Sequence, residues 1–178
     1  MFFAETIKAI PLLAVAFALS ACCSTHAPTD PALRKLQPAA LSYSFEGYNI
    51  DSIDITWDAD HLVSTCVRTD TYPFGLTYSQ TSSRKIHPTA TQWAAFWNEM
   101  DAIEVWRWLP DYTPRSPAID GGEWKLTLSH NGQRIDSGGL NGFPSDDNPR
   151  KISDLSARDF KRYKRLRDAL EKLTGTKL

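Results

Sequence analysis

Residues 89–108 read TATQWAAFWNEMDAIEVWRW, and the fold turns on how this stretch is built. Trp93, Phe96, Trp97, Met100, Ile103, Val105, Trp106 and Trp108 crowd into twenty positions, and four of the six tryptophans of the chain are among them. Side chains of this size dominate whatever core or binding surface they join. Thr89 and Gln92 make a Thr-x-x-Gln capping-box pattern after Pro88, a helix-start signal. Trp93, Phe96, Trp97 and Met100 then recur at i, i+3, i+4 and i+7, one stripe of a helix, so a helix is expected over Thr91–Met100. Beyond Asp101 the period changes. Val105 alternates with Glu104 and Trp106, which predicts a short strand closed by Leu109-Pro110. The stretch reads as a junction where a helix is clamped onto a sheet. Trp93, Phe96, Trp97 and Met100 belong to the core, while Trp108, next to a Pro-rich loop, is left as a candidate ligand contact.

Downstream, Asp111 to Pro117 carries Pro114 and Pro117 behind Pro110 and is a loop, because proline interrupts both helix and sheet bonding. Asp120-Gly121-Gly122 turns the chain into Trp124, Leu126 and Leu128, which alternate with Lys125, Thr127 and Ser129. Asn131-Gly132 is a hairpin signal joining that strand to Gln133–Ser137, and residues 138–144 then leave the sheet. Near the C-terminus a Ser156-x-x-Asp159 pattern opens a second amphipathic helix. Phe160, Tyr163, Leu166, Ala169, Leu170 and Leu173 form its apolar side, and Gly175 ends it. Its other side holds Lys161, Lys164, Arg165 and Lys172, with Asp168 placed to pair with Lys164 at i, i+4.

Upstream of the aromatic stretch the period is two. Leu41–Glu46 alternates apolar and polar residues, and Ile53, Ile55 and Trp57 alternate with Asp54, Thr56 and Asp58. Both runs predict strands with one wet face. Asp58-Ala59-Asp60 is a turn into a partner strand, His61–Thr69, and the polar run Phe74–Lys85 is an edge strand. Asp54 and Asp58 on one face are read as solvated carboxylates and not as a metal pair. Ser24–Ala40, with Pro28, Pro31 and Pro38, has no apolar period and reads as an extended spacer.

The N-terminus carries an address. Ala9–Leu19 is an uncharged apolar run behind Lys8, too short for the roughly 20 residues of a membrane-spanning helix and the length of a signal-peptide core. Leu19-Ser20-Ala21-Cys22 follows, and this order resembles the lipobox of bacterial lipoproteins. The resemblance implies removal of residues 1–21, diacylglycerol on the Cys22 sulfur and an acyl group on its new amino terminus. At about 0.8 kcal/mol per buried CH₂, three acyl chains hold a protein on a bilayer. Cys23, in place of Asp after the modified cysteine, implies the outer membrane with the domain facing the periplasm. The expected organisation is therefore a lipoprotein-type signal at 1–21, an acylated cysteine and tether at 22–40, and one globular domain at 41–175. Cys66 is read as a buried small hydrophobe.

The formal net charge is -1, which argues against an electrostatic nucleic-acid binder. Charge is uneven: residues 150–172 hold nine Lys or Arg against four Asp or Glu. The Gly-rich run 138–144 has no Walker pattern, Asp146-Asp147-Asn148 lacks the alternation of a calcium loop, and His61, His87 and His130 are accompanied by no Gly-x-Ser-x-Gly elbow. No cofactor or metal site is expected.

The Trp-rich helix, Tyr112, Asp120-Gly121, Trp124-Lys125-Leu126 and Gly139-x-Asn141-x-Phe143-Pro144 together resemble a domain that recurs in uncharacterised bacterial proteins. The resemblance spans residues 89–173 and implies no activity. Candidate binding residues are Trp108, Tyr112, Arg115, Asp120, Trp124 and Asn141, because loops with aromatic and Arg side chains have the composition of binding hot spots. The bland alternative is that Trp108 and Trp124 are core and the loops are connections.

The expectation is an α+β domain, an antiparallel sheet of about six or seven strands with two amphipathic helices packed on it. Its function is read as a membrane-anchored envelope lipoprotein that binds a protein or envelope ligand, with an immunity or inhibitor protein against an envelope-acting toxin or lysozyme as the concrete form. The competing class is a periplasmic hydrolase using carboxylates near the Tyr112–Asp120 loop, drawn from Asp101, Glu104, Asp111, Asp120 and Glu123.

Overall fold

The computed structural model describes residues 31–47, 50–71, 77–116, 121–154 and 160–178. Six strands, β1 (Ala40–Gly47), β2 (Ile50–Asp58), β3 (His61–Thr71), β4 (Thr77–Ile86), β5 (Gly122–His130) and β6 (Gln133–Leu140), form one antiparallel sheet in the order β4-β3-β2-β1-β5-β6. Three helices, α1 (Pro31–Leu36), α2 (Ala90–Ala102) and α3 (Lys161–Thr174), and a second, two-stranded sheet of β7 (Gly142–Pro144) and β8 (Ile152–Asp154) complete the α+β fold.

Register explains which side of the sheet is covered. Arg84, Ser64, Ile55, Tyr43, Leu126 and Ser137 lie in one row across all six strands. From Ser64 to Ser137 this row is buried. The neighbouring row, Ser83, Thr65, Asp54, Ser44, Lys125 and Gly138, points to the opposite side, since successive residues of a strand alternate faces. One face is thus apolar and carries the helices, and the other is polar and, among the described residues, bare.

The helix α2 starts as the sequence pattern requires. The Thr89 Oγ1 accepts from the Gln92 amide, and the Gln92 Oε1 accepts from the Thr89 amide at 2.9 Å. Trp93, Phe96, Trp97 and Met100 are all buried. The helix α3 lies beside α2, buries Tyr163, Leu166, Ala169, Leu170 and Leu173, and stops at Gly175, whose positive φ of 64° suits glycine at a helix end. Ser156 and Asp159, read as its start, lie outside the described residues, and α3 begins at Lys161 with Phe160 at its cap.

Five local expectations are corrected. The supposed spacer is part of the fold from residue 31: Pro31, at the first helical position where its missing N–H costs nothing, opens α1, whose Leu33 and Leu36 pack on the core. The Trp97 indole N–H donates to the Leu36 carbonyl at 2.6 Å, and the Ala39 amide donates to Ser129 at 2.7 Å. The strand expected around Val105 is instead a turn of 3-10 helix, Val105–Arg107, entered through Glu104 at φ 54°. Four alternating residues cannot tell a strand from a three-residue turn, and here Val105 and Trp108, three apart, face inward together. Residues 138–140 do not leave the sheet but extend β6, and 142–144 form β7. Lys164 caps the Phe160 ring at 4.5 Å instead of pairing with Asp168. Cys66 is a free thiol, half-buried at the rim of the core.

Candidate functional site

The aromatic loop is a built piece of core. Trp108 is 5% exposed and Tyr112, Trp124 and Asn141 are also buried. The three rings pack edge-on and stacked at centroid distances of 5.9–6.4 Å. Each polar edge is satisfied internally. The indole N–H of Trp108 donates to the Ile103 carbonyl and that of Trp124 to the Gly142 carbonyl, at 3.2 and 2.8 Å. The Tyr112 hydroxyl donates to the Pro149 carbonyl and accepts from the Leu109 amide. Burial pushes its pKa up to about 12, so the phenol stays a neutral donor. Asn141, at positive φ, exchanges two hydrogen bonds of 3.0 Å with Gly122. Of the remaining candidates, Arg115 is exposed on the loop and Asp120 lies outside the described residues.

What this cluster achieves is to close one end of the sheet. The Tyr112 amide donates to the Gly138 carbonyl and the Gly138 amide to Pro110, at 2.8 and 3.1 Å, so residues 110–112 run along the free edge of β6. Ser137 Oγ donates to the Leu109 carbonyl, and the Leu140 amide donates to Thr113 Oγ1. The glycines at 139 and 142 permit this approach: a Cβ on Gly142 would stand 1.7 Å from the Tyr112 carbonyl oxygen.

The described carboxylates around the loop are all occupied. Asp101 accepts from the Trp106 indole N–H, Glu104 is bridged to Arg107 and Arg162, and Glu123 pairs with Lys125. Hydrogen bonds from Arg107 and then Arg162 lower the pKa of Glu104, and those from Thr113 lower that of Asp111. A general acid of a glycosidase needs the opposite shift. Among the described residues no three His, Cys, Asp or Glu side chains converge as a metal-binding group.

The exposed chemistry is on the bare side of the six-stranded sheet. Two rows cross all its strands, one from Ser83 through Asp54 to Gly138 and the next from Lys85 through Val63, Thr56, Ser42 and Thr127 to Asp136. At about 4.8 Å between strands the surface is about 24 Å wide. Short hydroxyl side chains dominate, and some bond one another, as Thr65 does to Ser83. Lys125 and Arg134 are neutralised by Glu123 and Asp136. Glu46, Asp54 and Asp58 are exposed and form no salt bridge among the described residues, which biases the face toward negative charge. Sequence reasoning named the individual strands but not this surface, which exists only once strand order is known. Its signal was the Ser/Thr content of the wet positions.

Among the described residues no helix is long and apolar enough to cross a membrane. No family model, no curated protein and no solved structure matches the chain.

Proposed function

We propose that this chain is a lipid-anchored envelope lipoprotein whose folded domain is a non-enzymatic interaction module, and that the bare sheet face is its contact surface. The anchor rests on the Leu19-Ser20-Ala21-Cys22 pattern. The interaction reading rests on one observation, a face of six strands rich in short hydroxyl side chains and net acidic, uncovered by any described element. Such a surface suits a cationic protein, because complementary charge steers encounter and the hydroxyls supply directional bonds. An envelope-acting toxin or lysozyme is a partner of that chemistry, which makes the domain an immunity or inhibitor protein.

Two measurements test the two halves. Mass spectrometry of the N-terminal peptide is expected to show a triacylated Cys22; an unmodified cysteine or a cut elsewhere removes the anchor. Co-purification from membranes is expected to yield a cationic partner that Asp54→Lys or Thr56→Arg releases while the fold is retained. Retention of the partner by both variants refutes this face as the contact.

A further inference from the structure

The two edges of the six-stranded sheet are treated differently. The edge of β6 is covered by residues 110–112 through backbone hydrogen bonds. The edge of β4 has no such cover: among the described residues no backbone bond reaches its outer side. It is also long and regular. Ten residues pair with β3 without a register break, and positions 78–85 are all exposed. Natural edges of this kind are normally guarded by a central charge, a proline or a bulge, because unpaired amides and carbonyls template another strand. The centre of β4, Ser79-Gln80-Thr81-Ser82-Ser83, has none of these.

We infer that β4 is a self-association edge, pairing antiparallel with β4 of a second copy of this chain about a two-fold axis at Thr81. The occupant is selected by the placement of charge. The only charged side chains on β4 are Arg84 and Lys85, both at its C-terminal end. Antiparallel pairing separates the two Arg84 positions by six residues, about 20 Å at 3.4 Å per residue, well beyond the screening length of about 8 Å. Parallel pairing would set them side by side. In the antiparallel register Tyr78 stands opposite Arg84 of the other copy on the same face of the sheet, so that the most exposed large hydrophobic side chain among the described residues, at 57%, gains a cationic neighbour. An axis perpendicular to the sheet keeps both helix layers on one side. Both α1 helices, which pack against α2, then lie on that same side.

Two differently tagged copies of the full chain, co-expressed and extracted in mild detergent, test this by co-isolation. Wild-type copies are expected to co-isolate. Two Thr81→Lys copies, which face like charges across the axis, are expected to drop at least tenfold, and Thr81→Lys with Thr81→Glu is expected to recover. The recovery shows that the substituted chains fold. Wild-type copies that fail to co-isolate, a Lys/Lys pair that persists, or a Lys/Glu pair that stays apart each overturns the proposal. The readout does not depend on acylation of Cys22, so loss of the anchor reading leaves it standing.

Discussion

The hydroxyls of Tyr43 on β1 and Tyr163 on α3 meet at 2.9 Å in a buried contact across 120 residues of chain. This is a buried polar joint between sheet and helix, and at the rim the Arg84 guanidinium donates to the Thr174 carbonyl. Removing one partner strands the other hydroxyl in the core, so Tyr43→Phe or Tyr163→Phe alone is expected to cost about 1–3 kcal/mol. The double variant should cost less than the sum, because no donor is left unpaired. Urea unfolding of the three variants measures the coupling.

The same joint makes the fold sensitive to alkali. Burial raises the pKa of Tyr43 and raises that of Tyr163 well above 10, and it pushes Tyr112 up to about 12. Folded values above the unfolded value of 10 mean that these phenols contribute stability fully below about pH 10 and lose it as pH rises through the folded values. Thermal unfolding followed between pH 8 and 12 should show a falling midpoint from about pH 10 upward, with a shallower fall in Tyr43→Phe/Tyr163→Phe.

His130 gives the acid counterpart. Its ring stacks on Trp97 at 4.0 Å, and burial lowers its pKa against a raising contribution from Gln37 and Asp101. With the folded value depressed, the neutral ring contributes stability that is complete above the ordinary histidine value of 6.5 and fades as pH falls through the folded value. Midpoints between pH 7.5 and 5 are expected to drop in the wild type and to drop less in His130→Gln.

Thr89→Ala removes the N-cap acceptor of α2 and should cost about 1 kcal/mol. Because Gln92 also donates to the Lys172 carbonyl of α3 at 3.4 Å, Gln92→Ala is expected to loosen the α2–α3 contact as well, readable as faster amide exchange at the end of α3.

Gly142→Ala is expected to be far more damaging, about 3 kcal/mol or more, since a Cβ there overlaps the Tyr112 backbone and nothing flexible can yield. Loss of the cooperative unfolding transition would be the extreme form. A shift below about 1 kcal/mol would show that residues 110–112 need not lie against β6.

Elements with long, clean periods were legible from the residues. The Trp93–Phe96–Trp97–Met100 stripe, the alternation around Ile55 and the Asn131-Gly132 turn each carry enough repeats to choose one geometry, and the α+β sheet-and-helix architecture follows from them. Short elements were not. Pro31–Leu36 spans less than two helical turns, and its meaning depends on Trp97, sixty-one residues away. The Glu104–Trp108 segment is decided by a positive φ that local alternation does not show. The candidate loop failed for a different reason: an aromatic next to a proline has the same composition whether it faces solvent or, like Trp108 and Tyr112, is folded back to seal a sheet edge. Surfaces made by strand order, such as the row from Ser83 to Gly138, have no local signature at all.

The docking of α1 shortens the leash. With an extended spacer over residues 24–40, at about 3.1 Å per residue, the domain would range some 50 Å from the bilayer. With α1 held by Trp97, nine residue steps separate the proposed acyl group at Cys22 from Pro31, a reach of about 28 Å at most. A partner would then have to come to within a domain's diameter of the lipid to be engaged, so the domain would patrol the membrane surface and leave the depth of the periplasm unguarded.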